Sequence, residues 1–188
     1  MAGTLYLVPT PIGNLGDISQ RCRDTLAQAD FIAAEDTRVS LKLLNHLELK
    51  KPLVSYYEHN QAESGPKILQ RLLAGETCAL VSDAGSPAIS DPGEGLVALC
   101  AQAGVPVCAI PGPCAVITAL SVSGLPTGRF TFEGFLSTNR RAAPTIWTPS
   151  GPNSGPWSSM RPPTSSSTPW RIWPRSSAKD GASASAGS

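Results

Sequence analysis

Four short segments hold the residue types that could do chemistry, and each follows a run of apolar, β-prone residues. "EDTR", Glu35 to Arg38, sets two adjacent carboxylates, a hydroxyl and a guanidinium side by side. Such a group can pair internally, cap a following helix or hold a polar ligand. "LVSDAGSPAISDPG", Leu80 to Gly93, ends a buried run at Asp83 and turns sharply on Gly85, Ser86 and Pro87. An aspartate there can accept hydrogen bonds from a ligand hydroxyl or amine. Asp91 and Pro92 have the types expected of an N-cap and a first helical residue. In "VPTPIGNLGD", Val8 to Asp17, prolines fix φ while glycines allow close backbone approach, which builds a stiff concave turn. Asp17 or Ser19 can cap the helix after it. "IPGPCAV", Ile110 to Val116, repeats that chemistry before another helix, whose first N–H groups could meet a ligand oxygen.

Several chemistries are disfavoured. None of the loops is GxGxxG or a phosphate-binding GxxxxGK[ST] motif, so dinucleotide and triphosphate sites do not fit. Two histidines, scattered cysteines and no HExxH argue against a metal site. Cys114 has no histidine in a partner motif and is not expected to be a nucleophile. His46 reads as a helix residue; His59, in "YEHN", could bind phosphate, assist proton removal or serve structure. The net charge of +1 neither suggests nor excludes RNA. The five cysteines lack CxxC spacing and read as reduced, structural thiols in a cytoplasmic protein. The N-terminus lacks a signal-peptide pattern, and no apolar run is long enough for a membrane span.

These loops must be positioned by the elements between them. TLYLVP, DFIAAED, PLVSYY, CALVSD and VPVCAIP read as strands. Segments 19–29, 41–49, 62–74, 93–103 and 114–122 read as helices with apolar stripes. The alternation predicts an α/β fold built from βαβ units around a largely parallel sheet. Ligands of such sheets bind outside the carboxyl ends of the strands, where all four loops fall. Residues 1–122 form the expected cofactor-binding domain, and RFTFEGF within 123–141 opens a second one.

From residue 142 the composition breaks. About half of positions 142–188 are Pro, Ser or Gly, all four tryptophans lie there, and Leu and Val are absent. A disordered low-complexity tail is the ordinary reading, yet such tails are poor in aromatics. Reading the codons one base earlier gives text compatible with HLDTLRAEQRTLVFYEAP, helical in period and then strand-like. Translation out of frame after about Arg141 is therefore expected.

In order, VPTPIGNLGDIS, AAEDTR, SYYEHN, LVSDAGSPAISDPG, IPGPCAVITALSVSGLP and FTFEGFL resemble the bacterial small-subunit (16S) ribosomal RNA methyltransferase I family, and the frame-shifted text adds an FYEAPH-like element. The resemblance covers residues 5 to about 138. It implies a tetrapyrrole-methylase-like fold, a homodimer, and S-adenosylmethionine-dependent 2′-O-methylation of a cytidine in the decoding region, without a metal. By matching position, Pro11, Gly13, Asp83, Ala84, Gly85, Ser86, Pro87, Ala88, Pro111, Gly112 and Pro113 would line the cofactor. Glu35 or Asp36 would accept a proton, Arg38 would position a phosphate, and Thr37, His59 and Asn60 would face RNA. An inactive fragment of such an enzyme, a small-molecule tetrapyrrole-type methylase and a noncatalytic RNA-binding module are the competing readings. EDTR and EHN speak against the small-molecule enzyme, and the scarcity of stacking aromatics against the binding module.

Overall fold

Strands buried on both faces need apolar residues at every position, which is why the two central strands read as unbroken apolar runs. They are β2 (Phe31–Ala34) and β4 (Cys78–Val81), each buried throughout. Around them lie β1 (Leu5–Leu7), β3 (Leu53–Ser55) and β5 (Val107–Ala109). In the computed structural model these form one parallel sheet in the order β3-β2-β4-β1-β5. The structure describes residues 2–135 and 157–160.

Alternation along the strands feeds two cores. Phe31, Ala33, Cys78 and Leu80 enter one, with Ile68 and Leu72 of α3 (Gln61–Leu73) and Leu96 and Cys100 of α4 (Glu94–Gln102). Ile32, Ala34, Ala79 and Val81 enter the other, with Cys22 and Leu26 of α1 (Gln20–Gln28) and Leu43 and Leu44 of α2 (Thr37–His46). The topology explains the division. β1 and β2 connect toward the β3 edge, β3 and β4 toward the β5 edge, and right-handed crossovers in opposite directions land on opposite faces. The neighbours β4 and β1 therefore send their helices apart, which leaves a crevice at their carboxyl ends.

The predicted strands and helices are all present, with two changes at helix starts. α2 begins at Thr37 rather than at Leu41, because the Asp36 side chain accepts the Arg38 N–H and caps a turn whose one apolar residue, Val39, is exposed. α4 begins at Glu94 with Gly93 as its cap, so Asp91 is not the N-cap that its type and spacing predict. Gly93 has φ 141°, a conformation that favours glycine, and a Cβ there would also lie 2.7 Å from Leu80 Cδ2 and 3.0 Å from Ala88 Cβ. Ser19 does cap α1, accepting the Cys22 N–H.

All five cysteines are free. Burial pushes the Cys78 thiol up to about 12, which keeps it unreactive. Among the described residues no helix is long and apolar enough to cross a membrane.

The chain divides into two compact units, Met1–Thr118 and Ala119–Ser188. In the second, β6 (Thr131–Phe135) pairs in parallel with β7 (Trp157–Met160). The out-of-frame tail expected over 142–188 otherwise lies outside the described residues.

Candidate functional site

The parallel sheet brings the loops after β1, β2, β4 and β5 to one edge, and side-chain and backbone contacts lock them together. Thr10 and Gly85 exchange two backbone hydrogen bonds, 2.9 and 3.1 Å, so the first and third loops form a miniature antiparallel bridge. The Thr10 hydroxyl, buried between two prolines, donates to the Ser82 carbonyl at 3.1 Å. Ser86 Oγ donates to the Pro113 carbonyl at 3.3 Å, tying the third loop to the fourth. The fourth meets the first at Gly112, where a Cβ would lie 2.7 Å from Pro9 Cβ. Asp36 N–H donates to Asp83 Oδ1 at 3.2 Å, which joins the second loop to the third.

Of the residues singled out from sequence, Gly85 and Pro87 are buried in this knot; Pro11, Ser86, Ala88 and Pro113 are half-buried; Gly13, Asp83, Ala84, Pro111 and Gly112 are exposed along it. Gly13 has φ 148° and open space where a Cβ would be, so the backbone there is accessible to a ligand. Ala88 and Ser90 hold φ values of 68° and 56°, left-handed conformations that are uncommon outside glycine and concentrate at ligand-binding loops.

Electrostatics separates the carboxylates. Asp36 accepts from Arg38 N, Nε and Nη2, and these bonds hold its carboxyl down to about 2. It is therefore a cap and an ion-pair partner. Glu35, next to it, is pushed above the ordinary carboxylate value by loss of water and by the charges of Asp83 and Asp91, although the Asp83 N–H offsets part of this. Asp83 and Asp91 are raised as well, mainly by loss of water. Three carboxyls thus crowd one edge, each favouring a proton or a cationic neighbour. Among the described residues no three His, Cys, Asp or Glu side chains come together as they would to hold a metal ion.

Thr37 is the half-buried first residue of α2. Asn60 is engaged within its own turn: its carbonyl accepts the Tyr57 N–H at 2.8 Å and its amide donates to the Ser55 carbonyl at 3.0 Å. His59 is exposed, its ring edge-on to Tyr57 with centroids 6.3 Å apart. Among the described residues no hydrogen bond links either to the four interlocked loops. His46 is exposed on the last turn of α2.

Two participants escape the sequence reading. Thr10 and Ser82 are small hydroxyl residues whose contribution is to bind loops: Thr10 donates to the Ser82 carbonyl at 3.1 Å and Ser82 donates to the Gly85 carbonyl at 3.5 Å. A hydroxyl isolated between two prolines is the one signal that could have marked Thr10.

Comparisons with known proteins place the chain in a family. The chain is 55% identical over 141 residues to ribosomal RNA small subunit methyltransferase I of Vibrio cholerae, covering 75% of this chain and 49% of that protein. It is also 55% identical over 139 residues to the protein of that name from a Synechocystis species, covering 74% and 50%. The chain thus spans about half the length of the curated relatives it matches. Among solved structures, a conserved hypothetical protein from Aeropyrum pernix superposes with TM-score 0.61 at 25% identity, over 73% of this chain and 48% of that one. Diphthine synthase superposes with TM-score 0.60 at 18% identity, over 76% and 57%, a likeness of fold alone. The family model of the tetrapyrrole (corrin/porphyrin) methylases matches residues 4–152, and this chain belongs to that family.

Proposed function

We propose that the protein is built to transfer a methyl group from S-adenosylmethionine to the 2′-hydroxyl of a cytidine in the decoding region of small-subunit ribosomal RNA. The observation that carries this reading is the crowding of Glu35, Asp83 and Asp91 at the interlocked carboxyl edge, together with the name borne by relatives 55% identical to the chain. The donor set fits the methyl donor. A sulfonium offers no hydrogen bonds and is held by oxygens and dipoles, which this edge supplies as carboxylates and loop carbonyls. When bound, S-adenosylmethionine supplies a methyl carbon on a sulfur that is already a good leaving group.

The protein's remaining tasks are alignment and proton removal. Locking four loops to one another fixes the cradle before substrate arrives, which favours in-line approach of the hydroxyl oxygen. A ribose hydroxyl is a weak nucleophile at neutral pH, so a nearby acceptor helps. Glu35 suits this better than Asp36, whose carboxylate is engaged by Arg38 and by the start of α2. The Arg38 side chain is 87% exposed and uses Nε and Nη2 on Asp36, so Nη1 can reach an RNA phosphate. His59 is the exposed group of the EHN segment and contributes to the same RNA surface. Action as a cytoplasmic homodimer belongs to the same reading. Because the chain spans half of its relatives, closure over the donor and most RNA contacts fall to sequence that a restored frame after Arg141 would encode.

The test supplies radiolabelled S-adenosylmethionine and small ribosomal subunits to this chain and to a frame-restored version. Label in 2′-O-methylcytidine with the restored chain alone supports both the activity and the frame error. No label with either counts against the activity.

A further inference from the structure

The turn after β3 holds two aromatic rings in water beside the loop that carries Glu35. β3 pairs with β2 so that Ser55 lies against Ala34, and the Tyr56 N–H then donates to the Ala34 carbonyl at 2.8 Å, one residue before Glu35. Tyr56 is 1% exposed; its ring packs in the core and its hydroxyl donates to Gln61 Oε1 of α3 at 3.4 Å, which anchors the turn. Asn60 closes the turn from within. Its N–H donates to the Tyr57 carbonyl at 3.0 Å, while its side chain accepts the Tyr57 N–H and donates to the Ser55 carbonyl. Left outside are Tyr57, 41% exposed, and His59, with their ring planes at 83°.

Two rings at near right angles form a corner, and a flat base laid on one meets the other at its edge. Tyrosine and histidine rings hold unpaired RNA bases by such stacking. The turn is already fixed by its own hydrogen bonds, so little ordering remains to be done on binding. Glu58, exposed between the two rings, repels a phosphate, so the turn offers faces for a base rather than charge for the backbone.

We infer that Tyr57 and His59 form a stacking site for one unpaired base of single-stranded RNA, beside the nucleotide whose ribose meets Glu35. That this strand is the methylation substrate rests on the function proposed above. That the rings take a base is tested apart from it.

The isotopically labelled chain is titrated with hexacytidylate and with an abasic ribose-phosphate strand of the same length, and the Tyr57 and His59 ring resonances are followed. Both rings shift with hexacytidylate and neither with the abasic strand. Tyr57→Ala and His59→Ala each weaken binding about fivefold or more, as loss of one stacked base implies, while Tyr57→Phe keeps the ring and stays within about twofold. Should an alanine variant melt early, the ring shifts of the wild-type chain decide. Rings that stay still with hexacytidylate, equal shifts with the abasic strand, or wild-type affinity in both alanine variants overturn the inference. Labelled methyl transfer by the frame-restored chain is a separate arm. No transfer while the rings still take the base strikes the proposed function alone; transfer with the rings unmoved strikes the stacking site alone.

Discussion

The two edges of the sheet handle charge in opposite ways. At the amino edge the Arg71 guanidinium pairs with Glu76 and lies 3.5 Å from the Phe31 ring centroid, and the Asp30 carboxylate accepts the Thr77 N–H at 2.7 Å. The pairing shows in the proton affinities: Glu76 is held below its ordinary value and Arg71 above. At the carboxyl edge Arg38 is committed to Asp36, and Glu35, Asp83 and Asp91 are all pushed up, chiefly by loss of water and further by neighbouring carboxylates. One edge pairs its charges within the chain, which serves the fold. The other holds three carboxyls that form no ion pair among the described residues, which is why it is the candidate site.

Three measurements break or sharpen that contrast. The largest effect is expected at Glu35. In the frame-restored chain, Glu35→Gln lowers methyl transfer by about 10²- to 10⁴-fold, the range for loss of a general base. Its thermal midpoint stays level or rises, since a repelled charge is removed. A labelled-transfer assay beside a melt reads both, and unchanged transfer removes Glu35 from the chemistry. Arg71→Ala does the reverse. It costs about 1 kcal/mol in urea unfolding, a modest sum because the pair is more than a third exposed, and leaves transfer within about twofold.

The smallest effect is the pH dependence, whose sign differs between the edges. Glu76 is lowered from 4.5, so the stability it contributes is present above that value and is lost as pH falls through its folded value. Glu35, raised from 4.5, and Asp83 and Asp91, raised from 3.8, bind protons more readily folded than unfolded. The folded state therefore gains from them as pH falls toward their folded values and loses as pH rises through them. Melts between about pH 5 and pH 7 show a smaller acid-side gain in Glu35→Gln than in wild type. An equal gain in the two proteins would mean that Glu35 is not raised in the folded protein.

Much of this was legible in the residues. Unbroken apolar runs such as FIAA and CALV announce strands buried on both faces, and a parallel sheet forces the four loops to one edge. The individual roles of the carboxylates were not legible. Glu35 and Asp36 are adjacent and chemically alike, and only the turn that aims Asp36 at the Arg38 N–H separates cap from candidate base. Asp91-Pro92-Gly93 has the local pattern of a helix start, yet Gly93, with φ 141°, makes the turn into α4 and is its cap. Hydrogen bonds between residues distant in sequence, such as Thr10 to Ser82, leave no period or spacing to read.

That the carboxyl edge takes the methyl donor is tested most directly by titrating isotopically labelled chain with S-adenosylmethionine and following glycine amides at both edges. Shifts at Gly13, Gly85 and Gly112, with Gly75 and Gly104 unmoved, are the predicted result. Shifts at Gly75 and Gly104 with the first three still, or no shift at any of them, would contradict it.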